Sequence, residues 1–126
     1  MVFNMNNIQE FCKEILKINS KIRFVGIVYH DKISYETRKE SSPLLEKSEI
    51  EQSIKNAILR WDTRIVQNKK LGNPDFSLTK YNQIYRVTLP LNDEDLIFFS
   101  ADLDCDIIDI IHIVQNVKNE FEYLTR

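Results

Sequence analysis

The densest chemistry in the chain is an acidic run, Asp102, Asp104, Asp106 and Asp109. Alternating carboxylates at a strand-to-helix junction supply hard oxygen donors, so Asp102, Asp104 and Asp106 are the weak candidates for holding a divalent cation. A calcium loop also needs a central glycine and a closing bidentate glutamate, and neither is present. Carboxylates at a helix start also cap it and oppose its positive pole, and capping is the reading adopted here, with no metal and no cofactor. His30 and His112 stand far apart in the sequence, and neither has a neighbour at metal-ligand spacing. His112 is off the main apolar face of its helix, which suits polar surface better than a general base. Cys105 sits among carboxylates that disfavour its thiolate. Cys12 falls on an apolar helix stripe, where a free thiol behaves as a small hydrophobe. No G-x-S-x-G, P-loop, H-E-x-x-H or C-x-x-C pattern occurs. The expectation is a protein that is not an enzyme, because an enzyme needs convergent polar groups that this pattern lacks.

Arg60, Arg64, Lys69 and Lys70, with Trp61, Tyr81 and Tyr85, have the basic-plus-aromatic make-up of a nucleic-acid surface. The net charge of −2 and the sequence pI near 5.7 argue against a dedicated binder, and a solvated helix face explains these residues more simply. Charge is unevenly spread. Residues 55–86 hold seven basic and two acidic side chains, whereas residues 87–126 hold two basic and nine acidic ones. Such a chain either pairs with itself or a charged partner through its dipole, or presents two separately solvated faces.

The elements that position these groups fit one domain over residues 1–126. With 43% hydrophobic and 29% charged residues, the chain can build a core without staples. Two glycines cannot build a Gly-rich phosphate loop. No secretory signal opens the sequence, no stretch reaches the ~20 apolar residues that span a bilayer, and both thiols suit a reducing compartment. A cytoplasmic location without membrane attachment is the expectation.

Ile8, Phe11, Cys12, Ile15 and Leu16 repeat at helical spacing over 5–19, with Asn4, Asn6 and Asn7 offering caps. Residues 21–30 are apolar on both faces (Ile22, Phe24 and Val28 against Val25, Ile27 and Tyr29), as expected of a central strand. Gly26 in its middle suits a close approach by a helix or a neighbouring backbone. Asp31-Lys32 fits a two-residue turn into an alternating edge strand over 33–38. Ser41-Ser42-Pro43 breaks that strand. Ser48 to Glu51 has the form of a capping box and opens a helix to about residue 68, whose stripe is Ile50, Ile54, Ala57, Ile58, Trp61 and Ile65. Leu71-Gly72 fits a helix end. Strands follow over 76–80, 83–89 and 96–101, the last apolar on both faces. A final helix runs from Asp104 or Asp106 to Leu124 along Ile107, Ile110, Ile111, Val114, Val117 and Phe121.

If the two doubly apolar strands are neighbours, the alternating ones take the edges. The fold class is then α+β, order α-β-β-α-β-β-β-α, with a five-stranded antiparallel sheet ordered 2-1-5-4-3 and helices on both faces. This succession resembles the Roadblock (dynein light chain-like) fold, a profilin-like sheet, over nearly the whole chain. The wording "FCKEILKINSKIRFVGIV" and "LPLNDEDLIFFSADLD" is also similar to an uncharacterised family of ammonia-oxidising archaea, which has no activity to transfer. The Roadblock resemblance implies a non-catalytic homodimer or light subunit that presents a surface to a partner such as a small GTPase. It further implies long helices packed together and third strands paired edge to edge. Carried to this chain, the interface uses Phe76, Leu78 and Lys80 on the third strand and the outer face of the middle helix, with Arg64 and, if it faces outward, Trp61. Its place on the Ile54–Ile58–Ile65 stripe gives Trp61 the alternative of packing on its own sheet. The competing functional reading is a PAS-like small-molecule sensor domain, which shares the sheet order and would hold a ligand between sheet and middle helix.

Overall fold

The computed structural model describes residues 5–39 and 44–125, with side chains over 7–39 and 44–120. The cap at Asn4, the side chain of Asn6, the break at Ser41-Ser42-Pro43 and the side chains of Phe121 and Leu124 lie outside the described residues. The elements run α1 (Met5–Ile18), β1 (Ile22–Tyr29), β2 (Lys32–Thr37), α2 (Lys47–Ile65), α3 (Asn68–Leu71), β3 (Ser77–Lys80), β4 (Ile84–Pro90), β5 (Leu96–Asp102) and α4 (Ile107–Thr125). The sheet is antiparallel throughout, in the order β2-β1-β5-β4-β3. Among the described residues, no helix is long and apolar enough to cross a membrane.

Two cores follow from the doubly apolar central strands. On one face, Ile8, Phe11, Cys12 and Ile15 of α1 and Ile107, Ile110, Ile111 and Val114 of α4 pack on Val25, Ile27, Val87, Leu89, Ile97, Phe99 and Ala101. On the other face, Ile54, Ala57 and Trp61 of α2 pack on Val28, Leu96 and Phe98. Each buried Ile, Leu or Phe contributes ~1.5–3 kcal/mol, so the larger core under α1 and α4 dominates stability. Gly26 lies under α2 as its position suggests. A Cβ there would stand 3.1 Å from the Phe24 ring and 3.5 Å from Ile54 Cδ1.

Several expectations shift. The first hairpin turns on His30-Asp31, one residue before the expected pair. Both residues take positive φ (51° and 65°), the primed geometry that matches strand twist, and the buried Asp95 carboxylate accepts the His30 N–H at 3.0 Å. Ile22 does not share a face with Phe24 and Val28. A register shift against β5 between Ile22 and Phe24 swings it into the α1–α4 core. Helix α2 begins at Lys47, and the capping pair is Glu46 and Glu49, with the Glu46 N–H donating to Glu49 Oε1 at 3.1 Å. It ends at Ile65 rather than near residue 68. The short α3 follows and closes on Gly72, at φ 84°, whose N–H reaches the Asn68 carbonyl at 2.8 Å.

Arg38 ties the end of β2 to the end of α1. Its guanidinium donates to the carbonyls of Leu16, Asn19 (3.0 Å) and Ile22 (2.7 Å), the first of them orphaned by the end of the helix.

Candidate functional site

The acidic run is occupied by the protein itself. Asp102 Oδ1 accepts from Arg23 Nη1 at 3.0 Å, and Asp104 Oδ2 from Lys21 Nζ at 2.8 Å. Asp106 caps α4, its Oδ1 accepting the Asp109 N–H at 3.2 Å and its carbonyl the Ile110 N–H at 3.1 Å. The Lys21 hydrogen bond holds the Asp104 carboxyl below the usual carboxylate range, and the same bond holds the Lys21 ammonium above its own. Among the described residues, no His, Cys, Asp and Glu side chains gather at metal-binding distance.

The thiols are set against nucleophilic use. Burial pushes Cys12 up to about 12, with the Glu36 charge adding to it. Cys105 donates to the Asp102 carbonyl at 3.1 Å, and its pKa is raised first by burial and then by Asp104, Asp102 and Asp106. The His30 ring sits edge-on to Tyr29, and His112 is exposed on α4.

The residues expected at an interface divide by face. Strand β3 is the end of the sheet. Tyr81 N–H donates to the Ile84 carbonyl at 2.8 Å, which fixes the alternation of the ladder. In the register Ser77↔Thr88, Thr79↔Arg86, the residues Ser77 and Thr79 therefore bond β4, while Leu78 and Lys80 direct N–H and C=O outward. The side chains of Phe76 and Leu78 pack against the α1–α4 core, so what β3 offers at its edge is mainly backbone. Lys80 and Arg64 are exposed. Trp61 does not face outward. It is 3% exposed in the α2 core, because it shares the stripe of Ile54 and Ile65.

Sequence reasoning passed over Leu59, 66% exposed on the side of α2 opposite Ala57, and the C-cap residue Val66, 76% exposed two turns further on. The signal was available, since two apolar residues seven apart fall on one helix face.

Along the other flank of α2, above β4 and β3, lies an open cleft of about 230 Å³. Phe24, Ile54, Ala57 and Phe98 form its apolar base. Ser77, Thr79, Thr88 and Ser100 turn hydroxyls toward it from alternate positions of β3, β4 and β5. Arg60, Arg64 and Arg86 line its polar side, and Arg23, Arg38 and Lys39 line its end towards β1 and β2. Arg86 donates to the Ser53 hydroxyl and lies 6.0 Å from the Tyr81 ring centroid.

No protein-family model matches the chain, and no curated protein matches it by sequence. Solved structures do match. A Roadblock/LC7 domain from Streptomyces avermitilis superposes with a TM-score of 0.72 at 6% identity, over 94% of this chain and 98% of that one. MglB with a tetrameric arrangement gives a TM-score of 0.72 at 10% identity, over 100% of this chain and 93% of that one. MglC from Myxococcus xanthus gives 0.61 at 8% identity, over 91% and 96%. Identities this low carry the fold alone, and on that evidence the chain has the Roadblock/LC7 fold.

Proposed function

We propose that the chain is a non-catalytic interaction module, a Roadblock-like homodimer or light subunit that presents a surface to a protein partner such as a small GTPase. The observation that carries this reading is the pairing of two unsatisfied surfaces. Strand β3 ends the sheet with the backbone groups of Leu78 and Lys80 unpaired by β4, and α2 displays Leu59 and Val66 on its outer side. A second copy laid against both would extend the sheet and cover the apolar stripe. The tetrameric arrangement named for MglB is a property of that protein, and it supports self-association as the mode to test here. The interface then comprises Phe76, Leu78 and Lys80 with Leu59 and Val66, and leaves Trp61 inside and Arg64, expected there from the sequence, on the cleft side of α2. The raised thiol pKa values and the ion-paired carboxylates support the absence of catalysis. A cytoplasmic location belongs to the same reading.

The test is solution mass by light scattering across a concentration series. Leu78→Pro removes an N–H that points away from β4, so the monomer should stay folded while a dimer dissociates. A protein that is monomeric at every concentration overturns the homodimer.

The cleft favours one second reading, the small-molecule sensor. One long helix over the sheet, rather than several short ones, counts against it.

A further inference from the structure

We infer that the cleft between α2 and the β3–β4 face binds a small organic anion, with its oxyanion held by Arg60, Arg64 and Arg86 and its apolar body on Phe24, Ala57 and Phe98. This goes beyond the interaction module and rests on the sensor reading only in that both need an occupant for the cleft.

The charge pattern is the first argument. Five guanidinium groups, of Arg23, Arg38, Arg60, Arg64 and Arg86, line one cleft and, among the described residues, no carboxylate does. The side chains of Arg60 and Arg64 make no hydrogen bond or ion pair with any described residue. Their alignment is built into the helix. Ser53, Arg60 and Arg64 are seven and eleven residues apart, close to whole turns at 3.6 residues each, so they fall on one line along α2. Arg86 reaches Ser53 from β4, which fixes that line over the β4 side of the sheet. Within the lining, Arg23 is neutralised by Asp102 and Arg38 is spent on three backbone carbonyls, which leaves Arg60, Arg64 and Arg86 to meet a ligand. A cleft that keeps three guanidinium groups without a carboxylate partner concentrates anions. Guanidinium meets a carboxylate or phosphate with paired, charge-assisted hydrogen bonds.

Shape sets the rest of the ligand. The cleft is not a bare cationic surface, because its base is aromatic and aliphatic and its far wall carries the Ser77, Thr79 and Thr88 hydroxyls. A volume of about 230 Å³ equals roughly eight water molecules and falls below the pockets of drug-sized ligands. The occupant is therefore compact, an oxyanion on one ring or a short chain.

The experiment is calorimetric titration and thermal melting of the full chain with benzoate and phenyl phosphate, using benzamide and benzyl alcohol as neutral counterparts. The expected result is saturable binding of at least one anion, a raised melting temperature, and no comparable effect of the neutral pair. Arg60→Gln with Arg64→Gln weakens that binding by roughly tenfold or more, worth ~1.4 kcal/mol, and both sites are exposed enough to leave the fold unchanged. Benzoate and phenyl phosphate, ranked against each other, separate a carboxylate from a phosphate source. Equal binding of anions and neutral compounds overturns the anion site while leaving a sensor standing. No binding of any of the four overturns both. Binding seen only in the monomeric Leu78→Pro variant assigns the cleft to a second copy in the native protein, and overturns the inference.

Discussion

Truncating Trp61 to alanine tests which side of α2 is spent on the fold and which is left for a partner. Trp61 is 3% exposed, in contact with the second core that joins α2 to β1 and β5. Removing a buried tryptophan costs ~3–5 kcal/mol, a large share of the ~5–15 kcal/mol that holds a domain together. Unfolding entropy near ~2.1 cal/mol/K per residue gives about 0.26 kcal/mol per degree for this chain, so the melting temperature should fall by ~11–19 °C. Leu59, at 66% exposed, sits on the opposite side. Leu59→Asp should change the stability of a dilute monomer by less than ~0.5 kcal/mol. Its effect belongs to association, and grows with protein concentration. Circular dichroism melts at several concentrations separate the two effects. The fluorescence of Trp61, the sole tryptophan, adds a second readout, blue-shifted when folded and red-shifted on unfolding. If Trp61→Ala melts within a few degrees of the parent, or Leu59→Asp costs as much in dilute solution, α2 is turned about its axis and the assignment of its faces fails.

Arg38→Met removes charge-assisted bonds to three carbonyls at the α1–β1 junction and should lower stability by about 3 kcal/mol, read as a lower urea midpoint at unchanged slope. Hydrogen exchange should quicken in the last turn of α1 before it does in α4. Cys12, raised in the folded state from 9.0 to about 12 by burial, gives a pH test. The unfolded thiol ionises first, so the contribution of the neutral group is full below about 9 and is lost as pH rises towards about 12, at ~1.4 kcal/mol per unit. The stability advantage of the parent over Cys12→Ala should therefore shrink across that window, and a constant gap would show that the thiol is not desolvated.

The fold was legible because the periodicities agree with one another. Apolar residues on both faces of 22–29 and 96–101 mark central strands, and the order β2-β1-β5-β4-β3 follows from placing them together. Boundaries slipped where geometry outranks composition. Positive φ at His30 and Asp31 moved the turn by one residue, and a bulge at the start of β1 sent Ile22 to the other core. Asp106 was readable as a cap because an Asx side chain can satisfy only the N–H groups next to it. The cleft was not readable. Arg60 and Arg64 read as a solvated helix face, and Arg86 lies in a strand more than twenty residues away. Only the packing of α2 across the sheet brings the three to one place, and no local pattern encodes that crossing.

If the cleft and the pairing surface are both as proposed, they cannot act independently, because both are built from α2 and β3. Ser77 and Thr79 face the cleft while the backbone of Leu78 and Lys80 faces the edge. A second copy meeting this edge brings its own arginines and lysines towards them, since residues 55–86 carry seven basic and two acidic side chains. That repulsion opposes pairing, and an anion bound by Arg60 and Arg64 relieves it. Phenyl phosphate should then tighten self-association, by about fivefold at the low end of coupling energies between sites. Linkage requires the dimer to bind phenyl phosphate more tightly by the same factor. Sodium chloride at matched ionic strength separates site binding from screening, because it screens to the same degree without occupying the cleft. Sedimentation with and without ligand reads the dissociation constant directly. An unchanged constant at saturating phenyl phosphate would mean that the two surfaces do not meet, and that at least one of them has been placed on the wrong side of α2.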